Sequence, residues 1–343
     1  MTRRVGYALS GVAVFAMLAS VALFATSHIR IVRLSYVDGA VEMDRSSGHG
    51  LERAILNTPV VEGAKVVTGD GGLTEIEFEN GSDLRMAENS EIKFRALSMN
   101  DAGEKLNEIE VAKGMVYFDV RPKKGDLFRV VSDGATLLLR HDTEMRLIAG
   151  ERLRVSVFKG KAELENQPRA VTLKKKETLT FDAAHPADFL VAKDIEKLPT
   201  DRWNKERGAY QDAYAYNGGA GPGSGYGLAD LNYYGSYFYA PGFGMLWQPY
   251  GLMSGWNPYS NGAWMFYSGM GYTWASSYPW GWLPYHYGSW VFSPGFGWAW
   301  APGSAYRGTW YANSFQPSPV IARGPTGWRP VTPPVASAGI RSP

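Results

Sequence analysis

The side chains able to do chemistry are scattered. His28, His49, His141, His185 and His286 include no pair two or four residues apart, the spacings that turn two imidazoles toward one metal from a strand or a helix. The chain has no Cys, which removes thiolate nucleophiles, thiolate metal sites, disulfides and a lipid-modified N-terminal Cys. No Ser lies in a Gly-x-Ser-x-Gly turn. Glu75 and Glu77 share one face of an alternating segment, and a carboxylate pair can serve as general acid and base. Acids alternating with apolar residues beside a turn are also the pattern of a wet strand face, and both glutamates are read as solvated. Gly218 to Gly225 is glycine-rich but matches neither the dinucleotide nor the P-loop spacing, so it reads as a linker. The expectation is a protein that is not an enzyme, with no cofactor and no metal.

What the chain holds in quantity is rings. Residues 231 to 306 contain nine Trp, twelve Tyr and five Phe, and no Asp, Glu, Lys or Arg. Flat ring faces stack against sugars or against a partner's apolar surface, and a face without charge is easily stripped of water. The structural alternative is that the rings are the core of a small domain poor in Leu, Ile and Val. Trp247, Trp264, Trp274, Trp290, Trp298, Trp300, Tyr237 and Tyr239 are the candidate binding face. The partner is expected to be an envelope protein or a glycan. The net charge of +2 hides no concentrated basic patch, which argues against nucleic acid.

The ring block is a threefold repeat. Copies start at Gly235, Gly262 and Gly288, at intervals of 27 and 26 residues. Each runs from an aromatic strand through a turn to a second Gly and a closing Trp: Gly244 to Trp247, Gly271 to Trp274, Gly297 to Trp300. Pro241-Gly242 and Pro294-Gly295 suit type II turns, and the second Gly suits a bulge. The unit predicts a hairpin, and three hairpins predict a small six-stranded sheet or incomplete barrel.

Upstream, apolar residues recur with period two. Thr74 to Phe78 alternates and is followed at once by Asn80-Gly81, a hairpin signal. Further short runs, from Leu84-Arg85-Met86 to Leu179-Thr180-Phe181, predict ten or more strands in a β sandwich or roll. Helix is expected only between Ala187 and Arg207. Within this region Val66 to Gly72, Glu75 to Ser82, Leu84-Arg85 and Glu88 to Ile92 resemble the FecR family. Gly114 with Val116, Phe128 to Val130 and Val155 to Leu164 continue the likeness over roughly residues 35 to 185. That resemblance implies an extracytoplasmic β domain of the kind found in iron-dicitrate signal transducers and many envelope proteins. The chain departs from the family at Asp142-Thr143, where Gly-Thr is usual, and at Lys174 to Lys176, near a customary Gly. The repeat block resembles Tyr/Trp/Gly repeats that accompany FecR-like domains in bacterial envelope proteins.

The chain opens with Arg3-Arg4 and an uncharged run, Val5 to Thr26. Both a cleaved leader, cut after Ala25-Thr26-Ser27, and an inner-membrane anchor through residues 5–26 fit this run, and either places the rest in the periplasm or outside the cell. Only four residues precede the run, so the family's cytoplasmic sigma-factor-binding output is not expected here. The predicted organisation is all-β: a leader or anchor helix over 1–27, a FecR-like β domain over 28–195 and a helical segment with Gly-rich linker over 196–230. The hairpin-repeat domain over 231–306 and a disordered Pro/Arg tail over 307–343 complete it.

Overall fold

One long strand, Lys105–Val120, organises the first half of the molecule in the computed structural model. The structure describes residues 30, 32–165, 171–182, 189–215, 227–252, 255–267, 271–306, 309–310 and 320–321. Residues 105–113 of the long strand pair with Glu91–Met99, and residues 114–120 pair with Thr143–Ala149. The change of partner falls at Gly114, whose φ is 88° and where a Cβ would lie 2.5 Å from Ser90 Cα. A side chain there would collide with Ser90, so a bend that passes one strand from one sheet to another needs glycine.

Around this strand the fold is all-β, as the alternation predicts. One sheet carries Val32–Asp38, Leu73–Glu77, Asp83–Met86, Thr143–Ala149, Leu153–Lys159, Glu177–Phe181 and Phe189–Ala192. The other carries Val41–Asp44, Lys65–Thr68, Glu91–Met99, Leu127–Ser132, Ala135–Leu139, Lys161–Glu165 and Val171–Lys174. Ile76, Phe78, Phe94, Phe128, Val155 and Leu179 meet in the core between them. The Asn80-Gly81 turn forms as expected, with Gly81 at φ 79° and its N–H donating to the Phe78 carbonyl at 3.0 Å.

The segment expected to be helical starts later than predicted. Phe189–Ala192 is an edge strand, and the helix, α1, runs Thr200–Ala215. Its N-terminus is fixed by Asp201, which accepts from the Leu198 N–H at 2.8 Å. Its hydrophobic pattern is weak because its buried side chains include polar Asn204 and Gln211, which face a polar surface. A second short helix, α2 (Leu228–Tyr234), leads directly into the repeats.

Each repeat folds as a hairpin: Gly235–Ala240 with Gly244–Pro249, Gly262–Tyr267 with Gly271–Ser276, and Tyr287–Ser293 with Gly297–Tyr306. The register is the same in all three, setting Tyr237 opposite Trp247, Trp264 opposite Trp274 and Trp290 opposite Trp300. The second Gly of each copy is left-handed, with φ of 80°, 82° and 73°. Gly242 takes φ 84°, as a type II turn requires, whereas Gly295 is not among the positive-φ glycines, so the third turn differs from that expectation. The hairpins do not make one six-stranded sheet. The first and third join through Trp247 and Trp300, and the second stands in its own sheet. Two strands of the segment read as a disordered tail extend these sheets: Thr309–Trp310 pairs with Tyr272 and Thr273, and Val320–Ile321 runs parallel to Val291 and Phe292.

Among the described residues no helix is long and apolar enough to cross a membrane. The apolar run 5–26, His28, His185 and the whole glycine-rich segment 218–225 lie outside the described residues.

Candidate functional site

The first-half sheet has a second face that is neither apolar nor wet. Cross-strand pairing places Arg33 beside Glu77 and Glu77 beside Asp83, while Glu75 faces Arg85 and Arg85 faces Tyr117. Helices α1 and α2 cover these rows. Glu75 and Glu77 are therefore buried, against the expectation of a solvated face. Alternation identifies which residues share a face; it does not say what lies above that face.

Burial is tolerated because nearly every oxygen is met. Glu75 accepts from Arg85 Nε at 2.7 Å, Arg207 Nη2 at 2.7 Å, Ser35 Oγ at 2.7 Å and Gln211 Nε2 at 3.1 Å. Burial alone would push its carboxyl up, but Arg207 and Arg85 together hold it below the usual carboxylate range. Glu77 accepts from Arg33 Nε at 2.8 Å and from the Gly227 N–H at 3.1 Å. Arg33 also pairs with Asp230, which accepts from Tyr210 Oη at 2.7 Å. The seam thus ties residues 33 to 85 to both helices ahead of the repeats. Arg146 and Tyr117 extend it by donating to Asp201 at 2.6 and 2.8 Å.

The second hairpin makes its own contacts with the first half. Tyr267 Oη donates to the Pro59 carbonyl at 2.7 Å and Arg45 Nη1 to the Phe266 carbonyl at 3.0 Å. Asn57 Nδ2 donates to the carbonyls of Ser276 and Tyr278 at 3.0 and 2.7 Å, while its Oδ1 accepts from Arg33 at 2.7 Å.

The predicted ring set is divided by the structure. Trp247, Trp274, Trp290 and Trp300 are buried with Trp280, Trp282 and Tyr285, and Tyr237 and Trp298 pack partly buried against that core. Those six are therefore packing groups in this fold, which needs them because few aliphatic residues are on hand. Tyr239 and Trp264 are exposed, on different hairpins. Beside Trp264, the second hairpin displays Phe266 and Tyr272, and the turn before it Tyr259, three rings the sequence did not single out. Tyr259, Trp264, Phe266 and Tyr272 are each between 42% and 51% exposed. Trp264, Phe266 and Tyr272 share one face of the hairpin with buried Trp274: Tyr259 and Trp264 both contact Trp274, at centroid distances of 5.6 and 5.3 Å, and Phe266 meets Tyr272 at 5.3 Å. The signal available in sequence was position, since Trp264 and Phe266 sit two apart and face the same way.

The same register explains the first glycine of each copy. A Cβ on Gly262 would lie 2.6 Å from the Trp274 ring and one on Gly288 2.7 Å from Trp300 Nε1, and Gly235 is equally overlaid by Trp247. Each closing Trp packs its ring against the glycine that opens its own copy.

Among the described residues no group of three or more His, Asp or Glu could hold a metal ion. His286 is buried, stacked 4.0 Å from Trp282 and bonded to its carbonyl at 2.7 Å. Burial lowers it to about 4, partly opposed by that carbonyl, so it is a neutral ring of the core at pH 7.

Comparison with known families agrees with the two-part reading. Residues 64–163 match the FecR protein family, and residues 228–335 match a family of unknown function, DUF6600. No curated protein matches the chain. Two crystal structures of a candidate anti-sigma factor from Parabacteroides distasonis are similar at 16% identity and a TM-score of 0.33, covering 38% of this chain. The chain spans 59% of the length of that protein.

Proposed function

We propose that this is a non-enzymatic envelope protein in which the FecR-like half and the ring-rich half act outside the cytoplasm as one recognition unit. The observation that carries the proposal is the group of exposed rings Trp264, Phe266 and Tyr272 on one face of the second hairpin, with Tyr259 just before it, in a segment without a single ionic side chain. Contiguous exposed rings are costly to leave in water and are characteristic of contact surfaces. The partner is an envelope protein that lays an apolar surface on the second hairpin, with Tyr239 and Met245 as a smaller patch on the first.

The test is site-specific crosslinking in intact cells. A photoreactive phenylalanine at position 266 should yield a discrete adduct, and one at buried position 290 should not. No adduct from 266, 264 or 272 would defeat the reading. A glycan is the second reading, favoured by the exposure of the Trp264 ring. Titration with cell-wall fragments should then shift Trp fluorescence in the parent and not in Trp264→Ala. Location is tested by fractionation with carbonate washing, which separates an anchor through residues 5–26 from a cleaved leader.

A further inference from the structure

Pairing across the first-half sheet sets four carboxyl groups in one row. Glu77 stands opposite Asp83, Asp83 opposite Asp119 and Asp119 opposite Glu144, on neighbouring strands and on one face. Arg33 closes the row at one end and Lys159 at the other. Like charges set directly opposite one another repel, so the row is a cost unless cations or protons meet it.

Cations meet it incompletely, because each one is shared with an acid outside the row. Arg33 Nη2 pairs with Glu77 at 2.6 Å but also with Asp230 of α2. Arg85 Nη2 donates to Asp83 at 2.9 Å, while its Nε is spent on Glu75, which also takes Arg207 of α1. Arg121 serves Asp119 at 2.9 Å and Asp212 of α1 at 3.0 Å. The other groups that face Glu77, Asp83 and Asp230 from the helices are uncharged: Tyr210 Oη, the Gly227 N–H, Gln211 and Leu228. His286, which lies within the field of Arg33, is a neutral ring. Under the helices Glu77 is only 4% and Asp83 only 3% exposed, so water does not screen their repulsion. Among the described residues no three acids converge closely enough to hold a metal ion. A proton needs no such convergence. Burial pushes the Asp83 carboxyl well above its ordinary value, and Glu75, Glu77 and Asp119 add to that push against the pull of Arg85. Burial raises Glu77 as well, with Arg33 opposing and Asp230 adding, and burial together with Asp119 raises Glu144.

We propose that this row is a proton-operated clamp between the two halves of the molecule. Asp83, with Glu77 opposite it, holds a proton while α1 and α2 are seated and loses it to water when they lift. Acid therefore fastens the halves together and alkali loosens them. A lifted Asp83 is an ordinary wet carboxylate, so seating the helices takes up a proton. The advantage is whole below the ordinary carboxyl value of 3.8, falls as pH rises and levels off at the raised value. The sense is opposite to that of Glu75 and His286, whose contributions fade in acid. The clamp stands apart from the ring surface and does not depend on it.

The experiment is amide hydrogen exchange of the full chain by mass spectrometry between pH 5 and 10, corrected for intrinsic exchange. It reads the opening of α1 and α2 against residues 116–120 of the long strand. Protection of both helices relative to the strand is expected to fall by up to about tenfold per pH unit, the limit for one proton, and then to level off. Asp83→Asn imitates the protonated acid and should hold relative protection nearly constant over the same range. Asp119→Asn removes a neighbour that raises Asp83, so the levelling-off should move to lower pH, a shift that still decides the matter should Asp83→Asn fail to fold. His286 is common to all three chains, so its opposite effect below pH 6.5 cancels in the comparison. Relative protection that is flat or rises with pH in the parent overturns the proposal. An unchanged slope in folded Asp83→Asn, or a levelling-off that Asp119→Asn leaves in place, overturns it equally.

Discussion

Replacing Glu75 by Gln gives the sharpest test of the buried seam. The substitution keeps the shape of the side chain but removes the charge that Arg85 and Arg207 share, and turns one acceptor oxygen into a donor. Four donors converge on the carboxylate, and two of them belong to guanidinium groups, Arg85 with almost no access to water and Arg207 largely but not fully covered. Removing one member of a buried ion pair costs about 3–5 kcal/mol, because the surviving charge stays buried without its partner. That is a large part of the roughly 5–15 kcal/mol that holds an ordinary domain together. The exposed pair Arg95–Glu110 supplies the control, since Arg95→Gln there should cost about 1 kcal/mol or less. Urea denaturation followed by Trp fluorescence at pH 7 measures both, with the midpoint compared at constant slope. Because Glu75 is held below its usual value of 4.5, its contribution is present above that pH and fades as pH falls through the depressed value. The gap between parent and variant should therefore narrow in acid. A Glu75→Gln protein within about 0.5 kcal/mol of the parent would mean that the glutamate is in water after all, and the seam argument would fail.

His286 sets an acid limit. Its lowered value of about 4 against 6.5 unfolded means that stability is intact above pH 6.5 and lost toward pH 4, by up to about 3 kcal/mol; His286→Phe should flatten that limb of a stability–pH curve. Gly235→Ala should cost about 1–3 kcal/mol through its clash with Trp247, and Trp247→Leu in the same chain should recover part of it in a double-mutant cycle. Gly244→Ala meets open space but needs φ 80°, so about 1–2 kcal/mol is expected from backbone strain alone, read by thermal melting. Trp247→Ala should destabilise by about 3–5 kcal/mol while Trp264→Ala changes stability far less, which separates core ring from surface ring in one pair of denaturation curves.

The strands and the repeat were legible because their signals are local. Alternation gave Ile76 and Phe78 to the core, Asn80-Gly81 gave the turn, and the spacing of Gly262, Gly271 and Trp274 gave the hairpin. What the sequence did not disclose was which partner each face meets. Glu75 and Glu77 read as wet because the groups that cover them from the helices, Arg207 and the Gly227 N–H, lie 132 and 150 residues away and no local pattern links them. The clue present was Arg85 in the middle of a short strand flanked by Leu84 and Met86, an awkward place for a cation unless an acid opposes it. Helix α1 was located poorly for a related reason: its buried side chains include Asn204 and Gln211, so an apolar stripe could not mark it. In the ring block, twofold spacing showed which rings share a side but not which side of the hairpin the other two hairpins would cover. Six of the eight candidates consequently went to the interior or its margin, and Phe266, Tyr272 and Tyr259 stayed out.

The wide sequence separation across the seam also sets the order in which the molecule can mature. Arg33, Glu75, Glu77 and Arg85 are synthesised first, and their counterparts on α1 and α2 emerge more than a hundred residues later. A nascent chain halted before residue 200 would hold a finished apolar core beneath a hydrated, highly charged surface. Completion waits for the helices to arrive and expel that water, so trimming the chain to its first family match yields a different molecule, not a smaller version of this one.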